Sequence, residues 1–159
     1  MAEELNYIEV NRALWDEKTA HHVKSDFYDM ESFMQGKTSL KHIELGLLGD
    51  VKGKSILHLQ CHFGQDSLSL ARMGAKVTGV DFSGEAIVNA KKINEQLGLD
   101  ATFICTDIYS LPDVLQGQFD IVFTSYGTIG WLPDMKRWAE VVARYVRPGG
   151  TFLIVEFHP

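Results

Sequence analysis

The chain has 159 residues, 45% of them hydrophobic and 23% charged, with a formal net charge of −6; this length holds one domain with a buried core and leaves little room for a second. No run of about 18 apolar residues is present to cross a bilayer, and the acidic start Met1–Tyr7 is unlike a secretory signal, so the cytoplasm is the expected location. The negative charge offers no footprint for a nucleic-acid backbone, while Cys61, Cys105 and the neighbouring His21 and His22 lack the spacing of a disulfide framework or a metal site, so no metal is expected.

In chain order, Asn6–Lys18 and Leu40–Leu48 have helical patterns, separated by a less regular, aromatic and His-containing stretch from Ala20 to Gly36. Residues 1–52 are expected to form an N-terminal helical cap, over the carboxyl ends of the strands or beside the sheet that residues 53–159 build. Ser55–Leu59 reads as the first strand; a helix opens at Gly64 and carries Leu68, Leu70, Ala71 and Met73 before Gly74 ends it. Lys76–Val80 is the second strand, followed by a helix from Gly84 to Leu97 that Ser83 caps and Gly98 closes. Ala101–Cys105, Phe119–Thr124 and Thr151–Phe157 are the third, fourth and fifth strands, with a helix from about Asp134 to Tyr145 before the last. Alternation of this kind predicts a doubly wound α/β sheet of five parallel strands in the order 3-2-1-4-5, because right-handed crossovers place helices on both faces. The unbroken apolar run Ile121-Val122-Phe123 fits burial on both sides.

Ligands of such sheets bind beyond the carboxyl ends of the strands, at the switch point of strand order. Asp81 stands at the tip of the second strand, 17 residues past Gly64, where a carboxylate can accept both hydroxyls of a ribose. Asp107 stands just past the third, where it can accept from an exocyclic adenine amine while the Ile108 N–H and side chain meet the ring. Each aspartate alone fits a helix cap or turn as well; the two at adjacent strand ends describe a nucleoside pocket.

Together with Arg147-Pro148-Gly149-Gly150 before the fifth strand, these positions resemble the class I S-adenosylmethionine-dependent methyltransferases, over about Gly53 to Pro159. More narrowly, Ile56-Leu57-His58-Leu59-Gln60-Cys61-His62-Phe63-Gly64-Gln65-Asp66 and Asn11-Arg12-Ala13-Leu14-Trp15-Asp16 resemble a bacterial small-molecule branch related to the ubiquinone/menaquinone-biosynthesis methyltransferases. The resemblance implies a Rossmann-like fold and S-adenosyl-L-methionine as cofactor. It places the methionine end of the cofactor on Gln60, Cys61, His62 and Gly64, the ribose on Asp81 with Phe82 and Ser83 beside it, and the adenine on Asp107 and Ile108. Thr124, Ser125 and Tyr126 then face the methionyl amine and the methyl group.

The chain departs from the family at the loop. The usual acid near the end of the first strand is His58, and two usual glycines are Gln60 and His62, which must hold ordinary dihedrals or accept strain. His58 alternates with Leu57 and Leu59 and is expected as a core histidine bonded to backbone; Cys61 is expected as a small buried filler. A Cys61–Cys105 bridge is excluded if the second strand lies between, since their strands are then about 9.6 Å apart.

Methyl transfer needs positioning more than covalent catalysis. Candidate bases for a protonated acceptor are His22, Tyr28, Glu156 and His158, and Trp15, Tyr28 and Trp131 are candidates for the substrate side, with plain aromatic packing as the alternative for Trp15 and Tyr28. Two rival readings stand: an NAD-dependent oxidoreductase, disfavoured by the missing G-x-G-x-x-G, and a truncated cofactor-binding domain that has lost turnover. The latter draws on the end of the chain just beyond the fifth strand, short of the family's C-terminal strands. An open edge there leads to the expectation of either a truncated chain or a homodimer paired through the fifth strand.

Overall fold

A computed structural model describes residues 8–10, 12–14, 27–125 and 132–156, with backbone alone at 27–29. Residues 8–10 and 12–14 are helical, within the first predicted helix. The stretch expected to be irregular contains a helix, α1 (Phe27–Met34). Its aromatic and Met residues obscured the helical spacing, and packing of Phe33, 2% exposed, with Cys61, Leu68 and Phe103 fixes what periodicity left open. Helix α2 (His42–Leu48) follows, its start held by the Lys41 N–H donating to Glu44 Oε2 at 2.7 Å.

The sheet is built from β1 (Ser55–Leu59), β2 (Lys76–Asp81), β3 (Thr102–Cys105), β4 (Phe119–Thr124) and β5 (Val146–Ile154). Every pairing is parallel and the order is β3-β2-β1-β4-β5. The crossover helices are α3 (Gln65–Arg72), α4 (Gly84–Gln96) and α5 (Met135–Tyr145), and a 3₁₀ turn at Leu111–Asp113 follows β3. Alternation along β1 divides the core. Ile56 packs with Val77, Ile121 and Phe123 against Leu48 of α2 and Leu70 of α3. Leu57 and Leu59 face the other way, onto Trp138, Val141, Val142 and Tyr145 of α5.

Strand β5 begins earlier and ends earlier than the predicted Thr151–Phe157. Val146 pairs with Phe119, the chain bulges, and pairing resumes at Thr151 with Ile121. The detour holds Pro148, which has no N–H to give, and Gly149 at φ 76°. Gly150 lies so close to β4 that a Cβ there would meet the Asp120 carbonyl oxygen at 3.0 Å. Asp120 binds the Arg147 guanidinium and, through Oδ2, the Ser55 N–H at 2.8 Å, so one carboxylate ties the amino ends of β1, β4 and β5. Those bonds hold its carboxyl below the usual range, the Ser55 N–H contributing most. Among the described residues, no helix is long and apolar enough to cross a membrane.

Candidate functional site

The loop Gln60–Gly64 follows β1, at the edge of the sheet where the carboxyl ends of the parallel strands lie. Gln60 and His62 both accept strain, with φ of 55° and 57°. A left-handed conformation costs a side-chain-bearing residue about 1–2 kcal/mol, so the loop needs anchors. The Cys61 N–H donates to the Val80 carbonyl at 2.8 Å and the Gly64 N–H to the Cys61 carbonyl at 3.0 Å. The His62 N–H donates to Asp81 Oδ1 at 3.1 Å. Gly64 itself, at φ 82°, could not be otherwise: a Cβ would lie 2.8 Å from Cε1 of Phe103.

Asp81 is 7% exposed, and its second oxygen, Oδ2, accepts from the Ser83 N–H at 3.0 Å. A carboxylate offers about four acceptor positions, and these backbone bonds use one on each oxygen. Asp107 is arranged differently. Its Oδ1 takes both the Tyr109 N–H at 2.9 Å and the Ser110 N–H at 3.0 Å, closing the turn after β3. Among the described residues Oδ2 accepts no hydrogen bond. Thus both aspartates do the local structural work that a turn former does, and Asp107 keeps an oxygen in reserve.

Between the two lies a pocket with about 460 Å³ of empty space, part of it open to solvent, lined by Gln60, Asp81, Phe82, Asp107, Ile108 and the unforeseen Tyr109 among others. Ile8 and Leu132 close it from the N-terminal segment and from the segment before α5. Arg12 fastens that N-terminal segment: its Nε donates to the Phe82 carbonyl at 2.9 Å and its Nη1 pairs with Glu9 at 2.5 Å. Tyr109 is fixed by its hydroxyl, which donates to the Asp134 carbonyl and accepts the Asp134 N–H, both at 3.0 Å. Neither Ile8 nor Tyr109 carries a motif; the position of Tyr109 two residues past Asp107 was the one signal available.

A second polar assembly lies at the β1–β4 side of the loop. His58 is 1% exposed and stacks on Phe123 at 4.9 Å, and its partners are side chains, not the expected backbone. Nδ1 lies 2.7 Å from Ser67 Oγ and Nε2 3.4 Å from Ser125 Oγ. Ser125 also reaches Asp66 Oδ2 at 3.4 Å, and Ser39 donates to Asp66 Oδ1 at 2.6 Å. Since Asp66 can only accept when ionised, Ser125 donates to it, His58 Nε2–H donates to Ser125, and Nδ1 accepts from Ser67. Burial lowers the His58 pKa to about 3, so the ring is neutral. Burial raises that of Asp66, against the hydrogen bond from Ser39.

Cys61 is a buried free thiol packed with Phe33, Leu68 and Phe103, pushed up in pKa first by burial and then by Asp81. Ser83 is fully buried, with its hydroxyl accepting from the Ala86 N–H at 3.2 Å, and Thr124 is fully buried at the end of β4. Cys105 is also a free thiol, so no bridge forms. Tyr28 lies on α1 without a described side chain, and Glu156 is half-buried just past β5. Trp15, His22, Tyr126, Trp131 and His158 fall outside the described residues. Among the described residues no cluster of His, Cys, Asp and Glu could hold a metal.

A family model described as "Methyltransferase domain" matches residues 56–150. A ubiquinone biosynthesis O-methyltransferase of Coxiella burnetii is 39% identical over 111 residues, covering 70% of this chain and 46% of the relative. Its counterpart in Photorhabdus laumondii is 28% identical over 132 residues, covering 80% and 55%. The chain therefore spans about half the length of these curated relatives. Among solved structures, the DhpI–SAH complex has a TM-score of 0.69 at 22% identity, covering 96% of this chain and 70% of that one. An S-adenosylmethionine-dependent methyltransferase from Clostridium acetobutylicum has a TM-score of 0.64 at 20% identity, covering 87% and 56%. Both structures are similar in fold. With the matched model running from β1 into β5, the chain belongs to the class I S-adenosylmethionine-dependent methyltransferase family and is related to its ubiquinone-biosynthesis members.

Proposed function

We propose that this protein binds S-adenosylmethionine between the carboxyl ends of β2 and β3 and transfers its methyl group to a small molecule. The observation that carries this reading is the pocket between Asp81 and Asp107, with the open Oδ2 of Asp107 on one side and apolar Phe82, Ile108 and Leu132 around it. These residues fit an adenosine. Asp81 would accept the ribose hydroxyls, Asp107 Oδ2 the exocyclic amine, and Ile108 would pack on the ring. The loop Gln60–Gly64 would hold the methionine end, with Ser125 on its β4 side.

The bound donor supplies a methyl group on a positively charged sulfur, which an in-line nucleophile removes. The protein's part is to hold that end at the β1–β4 switch point, exclude water and bring the acceptor into line. The N-terminal segment, fastened by Arg12 to Phe82, serves the exclusion. The relatives are named as O-methyltransferases, which favours a hydroxyl acceptor. A base is then required, and Tyr28, His22, Glu156 and His158 remain the candidates, with Trp15 and Trp131 on the acceptor side. The same reading places the protein in the cytoplasm, and pairing of two copies along the outer strand β5, where Phe152 and Ile154 are exposed, belongs to it. Sedimentation as a monomer at high concentration would remove the pairing alone.

Calorimetric titration with S-adenosylhomocysteine and with NAD tests the function. Binding of the former and not the latter is expected; NAD binding alone would replace this reading by a dinucleotide-dependent one.

A further inference from the structure

We propose that Asp66, presented together with Ser125, receives the α-ammonium group at the methionine end of the cofactor. The inference rests on the proposed cofactor site and adds the charge that anchors its other end.

Three observations lead there. Asp66 is the second residue of α3, which starts directly after the loop Gln60–Gly64, and Ser125 directly follows β4, the neighbour of β1. Asp81 ends β2 and Asp107 lies just past β3, on the opposite side of that loop. A ligand with its nucleoside on one side and its amino-acid end on the other would therefore meet Asp66 last.

The second observation is charge. The strand position where a carboxylate is expected carries His58, which is buried and neutral. Its hydrogen bonds run through Ser125 to Asp66, so the only formal charge of the assembly sits on the helix rather than on the strand.

The third is an incomplete neutralisation. Asp66 is half-buried and accepts two hydroxyls, from Ser39 and Ser125. Among the described residues no Lys, Arg or His nitrogen lies within 4.0 Å of it. The other groups facing it are Ser69, which meets Ser39 at 3.0 Å, and, farther off, Glu44 and Lys41. Hydroxyl donors orient a carboxylate without cancelling its charge, and a primary ammonium with three donors would do both.

The test uses the intact chain and three ligands: S-adenosylhomocysteine, its decarboxylated analogue, which keeps the ammonium, and methylthioadenosine, which lacks both amino-acid groups. Asp66→Asn is expected to weaken the first two by about ten- to a hundredfold and to leave methylthioadenosine within about twofold, which also reports an intact nucleoside pocket. Asp66→Ser carries the same comparison if the Asn variant fails to fold. Equal losses for all three ligands, no loss for any, or a loss confined to the ligand bearing the carboxylate would each overturn the assignment while leaving the nucleoside site standing. Failure of the unaltered chain to bind any of the three would overturn both.

Discussion

Asp81 and Asp107 look equivalent in the sequence, yet the structure predicts opposite responses to the same isosteric change. In Asp81 the two backbone bonds are divided, Oδ1 to the His62 N–H and Oδ2 to the Ser83 N–H. Asparagine has one acceptor oxygen, so one N–H must face an NH₂ group. A buried donor left in that state costs about 1–3 kcal/mol. If the lost anchor is the His62 N–H, the left-handed residue also loses a restraint. In Asp107 both bonds converge on Oδ1, and an amide oxygen placed there keeps them. Asp107→Asn should then cost only the difference between charged and neutral acceptors, about 0.5–1 kcal/mol. It turns Oδ2 into a donor, however, and should weaken S-adenosylhomocysteine by about tenfold, ~1.4 kcal/mol. Urea unfolding read alongside calorimetric titration separates the two quantities. Equal destabilisation by both variants, or unchanged affinity in Asp107→Asn, would refute the division of labour.

Three further outcomes follow from the same geometry. Burial holds the folded His58 pKa down to about 3 against about 6.5 for an imidazole in the unfolded chain, so between these limits the unfolded chain binds the extra proton; its contribution is complete above about pH 6.5 and falls with acidity by up to ~1.4 kcal/mol per pH unit. Asp66, raised by burial, acts in the opposite sense. Urea midpoints between about pH 7 and 5 should therefore fall in the native chain more steeply than in His58→Asn, and equal slopes would contradict a buried neutral ring. Gly79→Ala would place a Cβ 2.7 Å from Cε1 of Phe103 and 3.1 Å from the Cys61 sulfur; a loss of about 1–3 kcal/mol in thermal or urea unfolding is expected, with partial recovery on adding Phe103→Leu. Arg12→Ala removes the bond to the Phe82 carbonyl and an exposed ion pair. Fluorescence-detected ligand binding should weaken by a few-fold while the melting temperature barely moves.

The sheet was legible because both of its periods are plain: β1 and β4 match their predicted ranges to the residue, and Gly64, Gly74 and Gly98 mark the helix boundaries. What escaped depends on contacts between distant segments. Helix α1 is specified by Phe33 packing beneath α3 and α4, a relation invisible in its own irregular spacing. The early start of β5 arises from the approach of Gly150 to Asp120 across a bulge. At the site, the two aspartates follow from strand ends alone. Ile8 joins the pocket because Arg12 finds the Phe82 carbonyl, 70 residues away. The Ser39–Asp66–Ser125–His58 assembly likewise draws on four separate segments, so although the sequence marks His58 and Ser125 singly, nothing local marks the hydrogen bonds that join them to Asp66 and Ser39.

The central claim is that a nucleoside lies between Asp81 and Asp107 with its amino-acid end toward β1 and β4. A crystal structure of the chain with S-adenosylhomocysteine tests it most directly. The ribose hydroxyls should lie within hydrogen-bond reach of Asp81, the adenine amine on Asp107 Oδ2 with Ile108 against the ring, and the α-ammonium beside Asp66. Ligand density elsewhere, or a nucleoside there that touches neither aspartate, would contradict the account.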